Sequence, residues 1–329
     1  MRLTFTVATK NNMYGTVQTL VALVCAVLLA GCTHLLYPAD RRPFVIQEKI
    51  RPIPKDIRIP MGNENSFLHA WHFSAQTKSK GLVIHFHGNG QNLTTHFLFF
   101  KWLADHGYDY LIFDYRGYGE SSDKEATQAK TVEDGQAVFK YAYDNFPGLK
   151  VIAIGQSLGS NVLVRTLQEL NEKELSMYLP KLVVLDSSFL SYQQAARSVL
   201  SQRWFLYLLK PFTYFAISDQ WSAKNKRAQT PNIPALFFHG TDDPLVSYEL
   251  GKKNFDLWPG PKVFLTQPGG SHTSAFGNPR FQQSRLVMLK CMDHALNGIL
   301  PFEACEKMEI SRVRGKPKGN LGFSKKGCN

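Results

Sequence analysis

Short apolar runs rich in β-forming residues alternate with helical stretches along most of this chain. The strand-like runs cover residues 81–87, 108–115, 150–154, 182–185, 233–238 and 263–266. The helical stretches cover residues 93–106, 132–145, 158–170 and 281–296, with Thr131 as the expected N-cap of the second. This alternation is typical of βαβ units. It predicts an α/β fold with a mostly parallel central sheet and helices on both faces.

Two regions depart from the alternation. Three runs, Phe44–Ile50, Asp56–Ile59 and Phe67–Phe73, precede the first buried strand and are expected to be extended, the last two with the alternation of half-exposed strands. Residues 191–231 carry many aromatic side chains and no clear strand. We expect a lid-like helical insertion there that covers a site. An ordinary crossover with extra helix fits the pattern equally well, and so many aromatic residues also suit a surface that meets a membrane.

Composition favours one large folded domain, which we place at residues 46–305. The 329 residues are 44% hydrophobic and only 19% charged, which excludes a disordered chain. The formal net charge of +12 is scattered, apart from a predicted flexible basic tail at 306–329. That tail is either solvated or in contact with anionic lipid headgroups. We expect no nucleic-acid partner, since no binding signature accompanies the charge.

The N-terminal segment has the features of an export signal. Leu20–Ala30 is an uninterrupted apolar run, too short to span a bilayer, and Leu-Ala-Gly-Cys ends it at Cys32. This segment resembles a bacterial lipoprotein signal. The resemblance implies a signal peptide at 1–31, acylation of Cys32, a tether at 32–45 and a lipid anchor in the cell envelope. In a Gram-negative envelope, Thr33 after the cysteine implies the periplasmic face of the outer membrane. An ordinary cleaved signal and an uncleaved anchor are the alternatives.

The remaining cysteines and the histidine pair give no metal signature. Cys291 and Cys305 flank the end of the last predicted helix and could form a disulfide, which only geometry decides. His85 and His87 share one face of a strand, but no third ligand with suitable spacing is evident. We therefore expect neither a metal nor a cofactor.

The motif GQSLG at 155–159 supplies the expected nucleophile. It matches G-x-S-x-G and lies between a predicted strand and a predicted helix, which is the context that this motif requires. Ser157 would stand on the turn. The N-terminal end of the following helix would stabilise an oxyanion.

A serine hydroxyl needs a base, and the base needs an acid. His272 lies in the loop after the strand at 263–266 and is the expected base. Asp243 or Asp242, in the loop after the strand at 233–238, is the expected acid. Three other histidines are weaker candidates for the base, and they are His239, His96 and His294.

The oxyanion hole of such a site needs two backbone N–H donors. One donor is expected from Leu158, the residue after the nucleophile. The other is expected from the loop after the strand at 81–87, where Asn89 is the first choice and Gly90 the second.

Most of the domain, from about Phe67 to Leu296, resembles the α/β-hydrolase superfamily. The resemblance is closest to the branch that includes Bem46-like, ABHD13-like and ABHD17-like proteins and serine aminopeptidase-type hydrolases. The matching stretches are HFHGNGQN (85–92), FDYRGYGESS (113–122), GQSLGSNV (155–162), LDSSF (185–189), FHGTDDPLV (238–246) and GGSHTSAF (269–276). The resemblance implies that Asp243, rather than Asp242, is the acid and that His272 is the base. The YRGYG segment at 115–119 is a family landmark for which we expect a structural role.

These observations predict a serine hydrolase. Its expected substrate is a small acyl compound or a lipid with an ester, thioester or activated amide, and a carboxylesterase or acyl hydrolase is the first choice. A serine peptidase of the aminopeptidase type is the alternative within this class. A lipid-anchored binding protein on a hydrolase fold, without catalysis, is the alternative outside it. We expect a monomer.

Overall fold

The computed structural model describes residue 37, residues 39–202 and 204–299, and residues 323–324. The predicted signal peptide and Cys32 lie outside the described residues, as does most of the predicted tail. Cys291 is buried in the last helix, while Cys305 lies outside the described residues, so their pairing stays a prediction. Within the described part of the chain, no helix has the length and apolarity that a membrane crossing requires.

A nine-stranded sheet forms the centre of the molecule, in the order β1-β2-β4-β3-β5-β6-β7-β8-β9. The strands are β1 (Lys55–Met61), β2 (Asn63–Phe73), β3 (Leu82–Phe86), β4 (Asp109–Phe113), β5 (Val151–Gln156), β6 (Leu182–Asp186), β7 (Ala235–Gly240), β8 (Lys262–Gln267) and β9 (Phe323–Ser324). Strands β4, β3, β5, β6, β7 and β8 run parallel to one another. Antiparallel strands flank them at both edges. The predicted α/β fold with a mostly parallel sheet is confirmed.

Helices follow most of the parallel strands. The α-helices are α1 (Leu93–His96), α2 (Gln128–Asn145), α3 (Leu158–Glu172), α4 (Tyr192–Ser201), α5 (Thr213–Ala216), α6 (Tyr248–Asp256), α7 (Ser274–Gly277) and α8 (Gln282–Leu296). The 3-10 helices are Gln47–Lys49, Phe97–Phe99, Lys101–His106, Ser176–Tyr178, Trp204–Phe212, Ala223–Gln229 and Pro279–Phe281.

Successive residues of the central strands enter two different cores. Along β3, Ile84 packs into a cluster that includes residues of α3, whereas Val83 packs into a cluster that includes residues of α8. All five residues of β3 are buried. Because side chains alternate across a strand, a strand covered on both faces is apolar at most of its positions. This is why the central strands are continuous apolar runs.

Three local predictions are wrong. Phe44–Ile50 is not an extended run: a 3-10 turn forms at its middle, and the flanking Pro43 and Pro52 lack the N–H that a ladder needs. The predicted helix at 93–106 is α-helical only to His96 and continues as two 3-10 segments. Helix α2 begins one turn earlier than expected, because the side chain of Thr127, not Thr131, accepts the N–H of Lys130.

The segment between β6 and β7 is helical, as predicted, and it is tied to two parts of the domain. Its 3-10 helix Ala223–Gln229 lies along α3, where the Gln168 amide donates to the Ala223 carbonyl oxygen over 2.9 Å. Just past the end of α4, the Gln202 amide donates to the Asp243 carbonyl oxygen over 3.2 Å. The insertion therefore contacts the loop that carries the expected catalytic acid.

Candidate active site

A strained turn joins β5 to α3 and holds Ser157. This residue has φ 50° and ψ −117°, a conformation that side-chain-bearing residues rarely adopt. Its N–H donates to the Asp186 carbonyl oxygen over 2.9 Å. Its own carbonyl oxygen accepts the Ser160 N–H and hydroxyl at 3.0 and 2.6 Å. Hydrogen bonds on both sides of the turn hold the serine, which is partly exposed.

The two glycines of the motif are required by close backbone contacts. A Cβ on Gly155 would lie 2.6 Å from the Cα of Ser160. A Cβ on Gly159 would lie 2.0 Å from the carbonyl oxygen of Phe86. Since backbone atoms cannot move aside cheaply, neither position accepts a larger residue. The G-x-S-x-G spacing thus follows from how closely α3 packs on β3 and β5.

His272 contacts a buried carboxylate. The Nδ1 atom of His272 lies 2.8 Å from Oδ2 and 3.0 Å from Oδ1 of Asp243. The Oδ1 atom of Asp243 also accepts the N–H groups of Leu245 and Val246, each over 2.9 Å. These contacts orient the imidazole and leave its Nε2 atom for proton transfer. The imidazole is partly exposed, with 16% of its surface accessible.

The geometry separates Asp243 from Asp242. Asp242 is exposed, and its carboxylate accepts the neighbouring Thr241 hydroxyl over 2.8 Å. His239 lies on the other side of the acid: its Nε2 atom donates to the Val246 carbonyl oxygen over 2.9 Å and lies 3.4 Å from Asp243. His239 is buried, which fits the structural role expected for it.

The pKa of Asp243 lies well below its ordinary value. Burial alone would raise this pKa. Hydrogen bonds from His239 and His272, the charge of His272 and the Val246 N–H outweigh burial and favour the carboxylate. The acid is therefore ionised at neutral pH and can stabilise an imidazolium at His272.

The loop after β3 approaches the turn at Ser157. A Cβ on Gly88 would lie 3.6 Å from the Cβ of Ser157, so the two backbones are adjacent. Asn89 follows Gly88 and is exposed beside this contact. Leu158 is the first residue of α3, and its N–H accordingly has no acceptor within the helix. The structure brings both expected oxyanion residues to the turn.

Two tyrosines of the YRGYG segment support the loop that carries Asn89. The Tyr115 hydroxyl donates to the His87 carbonyl oxygen over 3.1 Å, and the Tyr118 hydroxyl donates to Asn89 Oδ1 over 2.7 Å. Both rings are buried. The sequence shows this segment only as a structural landmark. Its contact with the Asn89 side chain depends on the pairing of β3 with β4 and emerges only in three dimensions.

The other histidines lie away from Asp243: His294 is in α8, and two more lie at or near the end of β3. His85 contacts the Tyr110 hydroxyl at 2.8 Å and Gln156 at 3.1 Å. His96 stacks on His87, with ring centroids 5.0 Å apart. Among the described residues, no group of three or more His, Cys, Asp or Glu could hold a metal ion.

Asp186 is a buried carboxyl that sequence reasoning missed. It ends β6 and accepts the Gln156 amide over 2.9 Å. Burial raises its pKa from 3.8 to about 6, although the Gln156 hydrogen bond opposes the shift. Its only sequence signal is its place at the end of a strand, within LDSSF. It does not serve as the acid here, because Nδ1 of His272 contacts Asp243.

The raised pKa of Asp186 predicts a pH-dependent cost to folding. An unfolded carboxyl ionises near 3.8 and the folded one near 6, so the associated stability is complete below the lower value and is lost as pH rises through the higher one. The loss amounts to roughly 3 kcal/mol. Asp186→Asn removes this pH-dependent loss, because the amide does not ionise. In urea unfolding, the free energy of unfolding of the variant should therefore rise relative to that of the parent between about pH 4 and about pH 7.

The matched control is Asp242→Asn, which changes an exposed carboxyl in the loop after the neighbouring strand β7. A stability difference between Asp186→Asn and the parent that stays constant with pH would contradict the raised pKa.

Comparison with known proteins begins with sequence. The family model described as serine aminopeptidase, S33, matches residues 77–213. The uncharacterized protein YfhR of Salmonella typhimurium is 28% identical over 245 residues, which are 71% of this chain and 80% of that protein. The lysophosphatidylserine lipase ABHD12 of Mus musculus is 28% identical over 194 residues, which are 57% of this chain and 48% of that protein. The chain thus spans about half the length of this lipase.

Solved structures share the architecture. An esterase of Pyrococcus furiosus superimposes with a TM-score of 0.59 at 22% identity, covering 80% of this chain and 98% of that one. A thermostable carboxyl esterase of Bacillus coagulans superimposes with a TM-score of 0.53 at 14% identity, covering 75% of this chain and 98% of that one. At these identities the likeness shows the fold.

Proposed function

We propose that this chain is a serine hydrolase of the α/β-hydrolase superfamily, and that it cleaves carboxylic esters of small acyl compounds or lipids through Ser157, His272 and Asp243. The matching family model, the similar lipase sequences and the esterase-like fold support the class. The observation that carries the proposal is the contact of His272 Nδ1 with the buried Asp243 carboxylate. The acid, the base and the serine follow three different parallel strands, and the carboxyl ends of such strands meet at one edge of the sheet.

Acylation begins with proton transfer. The Ser157 hydroxyl gives its proton to Nε2 of His272 as its oxygen bonds to the carbonyl carbon of the ester. Asp243 stabilises the imidazolium that forms, since it stays ionised beside Nδ1. The imidazolium then gives the proton to the leaving alcohol, and an acyl-serine remains.

The tetrahedral oxyanion is stabilised by two backbone N–H groups. We assign them to Leu158, at the N-terminal end of α3, and Asn89, in the loop beside the turn. Both donors are fixed before the charge develops, so little reorganisation accompanies it. Water activated by His272 then attacks the acyl-serine and releases the acid.

An ester is the favoured substrate class because its alcohol leaves more readily than an amine. Two solved structures that share the fold are of proteins named as esterases, and one of the relatives is named a lysophosphatidylserine lipase. The family model, by contrast, is described as serine aminopeptidase, which favours a peptidase as the second candidate. Amide substrates test that candidate directly.

We also propose that the chain is held in the bacterial cell envelope through acylated Cys32. Support comes from the Leu-Ala-Gly-Cys sequence after an apolar run. Two or three acyl chains suffice for stable anchoring, because each buried methylene contributes about 0.8 kcal/mol. Such an anchor would keep the site beside lipid esters.

Ser157→Ala should abolish labelling by a fluorophosphonate and reduce hydrolysis of p-nitrophenyl esters by roughly 10⁴-fold or more, because the nucleophile is gone. Gel fluorescence and absorbance measure the two effects. Ser271→Ala, a change at an exposed serine next to His272, is the matched control and should keep both activities.

Persistent labelling of the Ser157→Ala chain would refute the assignment of Ser157 as the nucleophile. Wild-type hydrolysis of aminoacyl anilides, without hydrolysis of esters, would assign the peptidase instead.

Tyr118→Phe should lower kcat by roughly tenfold with little change in KM, since the loop that carries Asn89 loses one of its supports while substrate binding stays intact. A full loss of an oxyanion donor would cost about 10²–10³. Steady-state kinetics on a p-nitrophenyl ester measure the split between kcat and KM.

Tyr143→Phe, at an exposed tyrosine on α2, is the control for removing a hydroxyl. A Tyr118→Phe chain with unchanged kcat, or one changed in KM alone, would contradict the positioning role of Tyr118.

A further inference from the structure

An unusually apolar surface lies on the insertion between β6 and β7. Six large apolar side chains within nine consecutive positions are between 47% and 89% exposed, and we name them the insertion face: Tyr207, Leu208, Leu209, Phe212, Tyr214 and Phe215. Isolated exposed apolar residues are ordinary on soluble proteins. A contiguous patch of them marks an interaction surface.

The insertion face points outward because its backbone is held from within. Thr213 and Ile217, one helical turn apart, are buried on the opposite side of the same segment. The Gln193 amide donates to the Ile217 carbonyl oxygen over 2.8 Å, and the Gln128 amide of α2 donates to the Ser218 carbonyl oxygen over 2.6 Å. The segment is therefore packed against the domain on one side, and this packing leaves the insertion face exposed on the other.

Positive charge borders the insertion face. Residues 187–218 contain Arg197, Arg203 and Lys210 and no Asp or Glu. The guanidinium of Arg197 lies 4.5 Å from the ring centre of Tyr214, and the Lys210 ammonium lies 4.0 Å from that of Tyr207. Apolar side chains with cations at their border match the two layers of a phospholipid interface, acyl chains below and phosphates above.

A cationic cavity opens beside the face. It has a volume of about 460 Å³ and is lined by Arg197, Lys210 and Lys224 together with the hydroxyls of Ser198 and Ser201. This set of donors suits a phosphate group.

The residues that line the cavity include three cations and no carboxylate. Close by, Asp219 is 3.9 Å from the Lys224 ammonium, and it already accepts the Ser191 hydroxyl and the Gln193 N–H. The lining of the cavity is therefore positively charged.

We propose that the insertion face docks onto an anionic phospholipid bilayer, with its apolar side chains at the level of the acyl chains and a lipid phosphate in the cavity. A second copy of this chain would cover the apolar side chains without needing a cationic cavity, so a lipid surface is the occupant that accounts for both features. The proposal goes beyond hydrolysis and stands without it.

Docking would also hold the catalytic acid near the bilayer. The hydroxyl of Ser198, in the cavity wall, accepts the Ser247 N–H over 3.0 Å. The Gln202 amide donates to the carbonyl oxygen of Asp243 over 3.2 Å. Helix α4 thus lines the cavity, and α4 and the residue that follows it contact the loop that positions Asp243.

Hydrogen–deuterium exchange on the full chain tests the proposal. Vesicles of phosphatidylglycerol should slow exchange of amides 204–216 by roughly tenfold, and vesicles of phosphatidylcholine should do so less. Amides of α8 should be unaffected. The parent and the variants described below carry the same N-terminal segment. A loss of protection in a variant therefore cannot be explained by a change in anchoring through that segment.

Two variants remove the two parts of the surface. Leu208→Asp with Phe215→Asp should abolish the protection, and Leu286→Asp, a matched change at an exposed leucine of α8, should keep it. Arg197→Gln with Lys210→Gln should remove the preference for phosphatidylglycerol. Fluorophosphonate labelling and thermal unfolding like those of the parent show that each variant is folded.

Three results would overturn the proposal. The first is equal protection in the parent and in the Leu208→Asp, Phe215→Asp chain. The second is protection that appears without vesicles as protein concentration rises, which would assign the face to a second copy. The third is protection by inorganic phosphate alone, which would make the cavity a site for free phosphate.

Discussion

The left-handed backbone of Ser157 is the constraint on which the site depends. A serine at φ 50° persists only because its neighbours leave no alternative. Gly155 and Gly159 let α3 approach the sheet so closely that any side chain there would meet backbone atoms. The turn then presents the hydroxyl at the carboxyl end of β5, with the first N–H of a 15-residue helix beside it.

Charge in the site is controlled by which carboxyl receives hydrogen bonds. Asp243 is held ionised by His272, His239 and backbone N–H groups, and its pKa falls. Asp186 is also buried but has fewer donors, and its pKa rises to about 6. Two buried acids near one imidazole thus have opposite tendencies, which keeps the negative charge on the acid that contacts His272.

Much of this arrangement could be predicted from the sequence. The buried strands are continuous apolar runs, and the turn residues that follow them include Ser157 and His272. Hydrophobic pattern does not specify partners, however. The pattern did not decide whether Asp242 or Asp243 is the acid, and the family resemblance favoured Asp243. It also gave Tyr118 no role, because the contact between Tyr118 and Asn89 joins the loops that follow two different strands. The extended run at 44–50 misled because a local 3-10 turn forms at its centre and prolines stand on either side of it.

The catalytic roles of Ser157, His272 and Asp243 can be tested with a crystal structure of the full chain after reaction with a fluorophosphonate. We expect a phosphonyl group on Ser157, with its oxygen about 2.7–3.1 Å from the N–H groups of Leu158 and Asn89. We also expect Nε2 of His272 within hydrogen-bond reach of the adduct while Nδ1 still contacts Asp243. An adduct on another residue, or an imidazole turned away from Ser157, would contradict these roles.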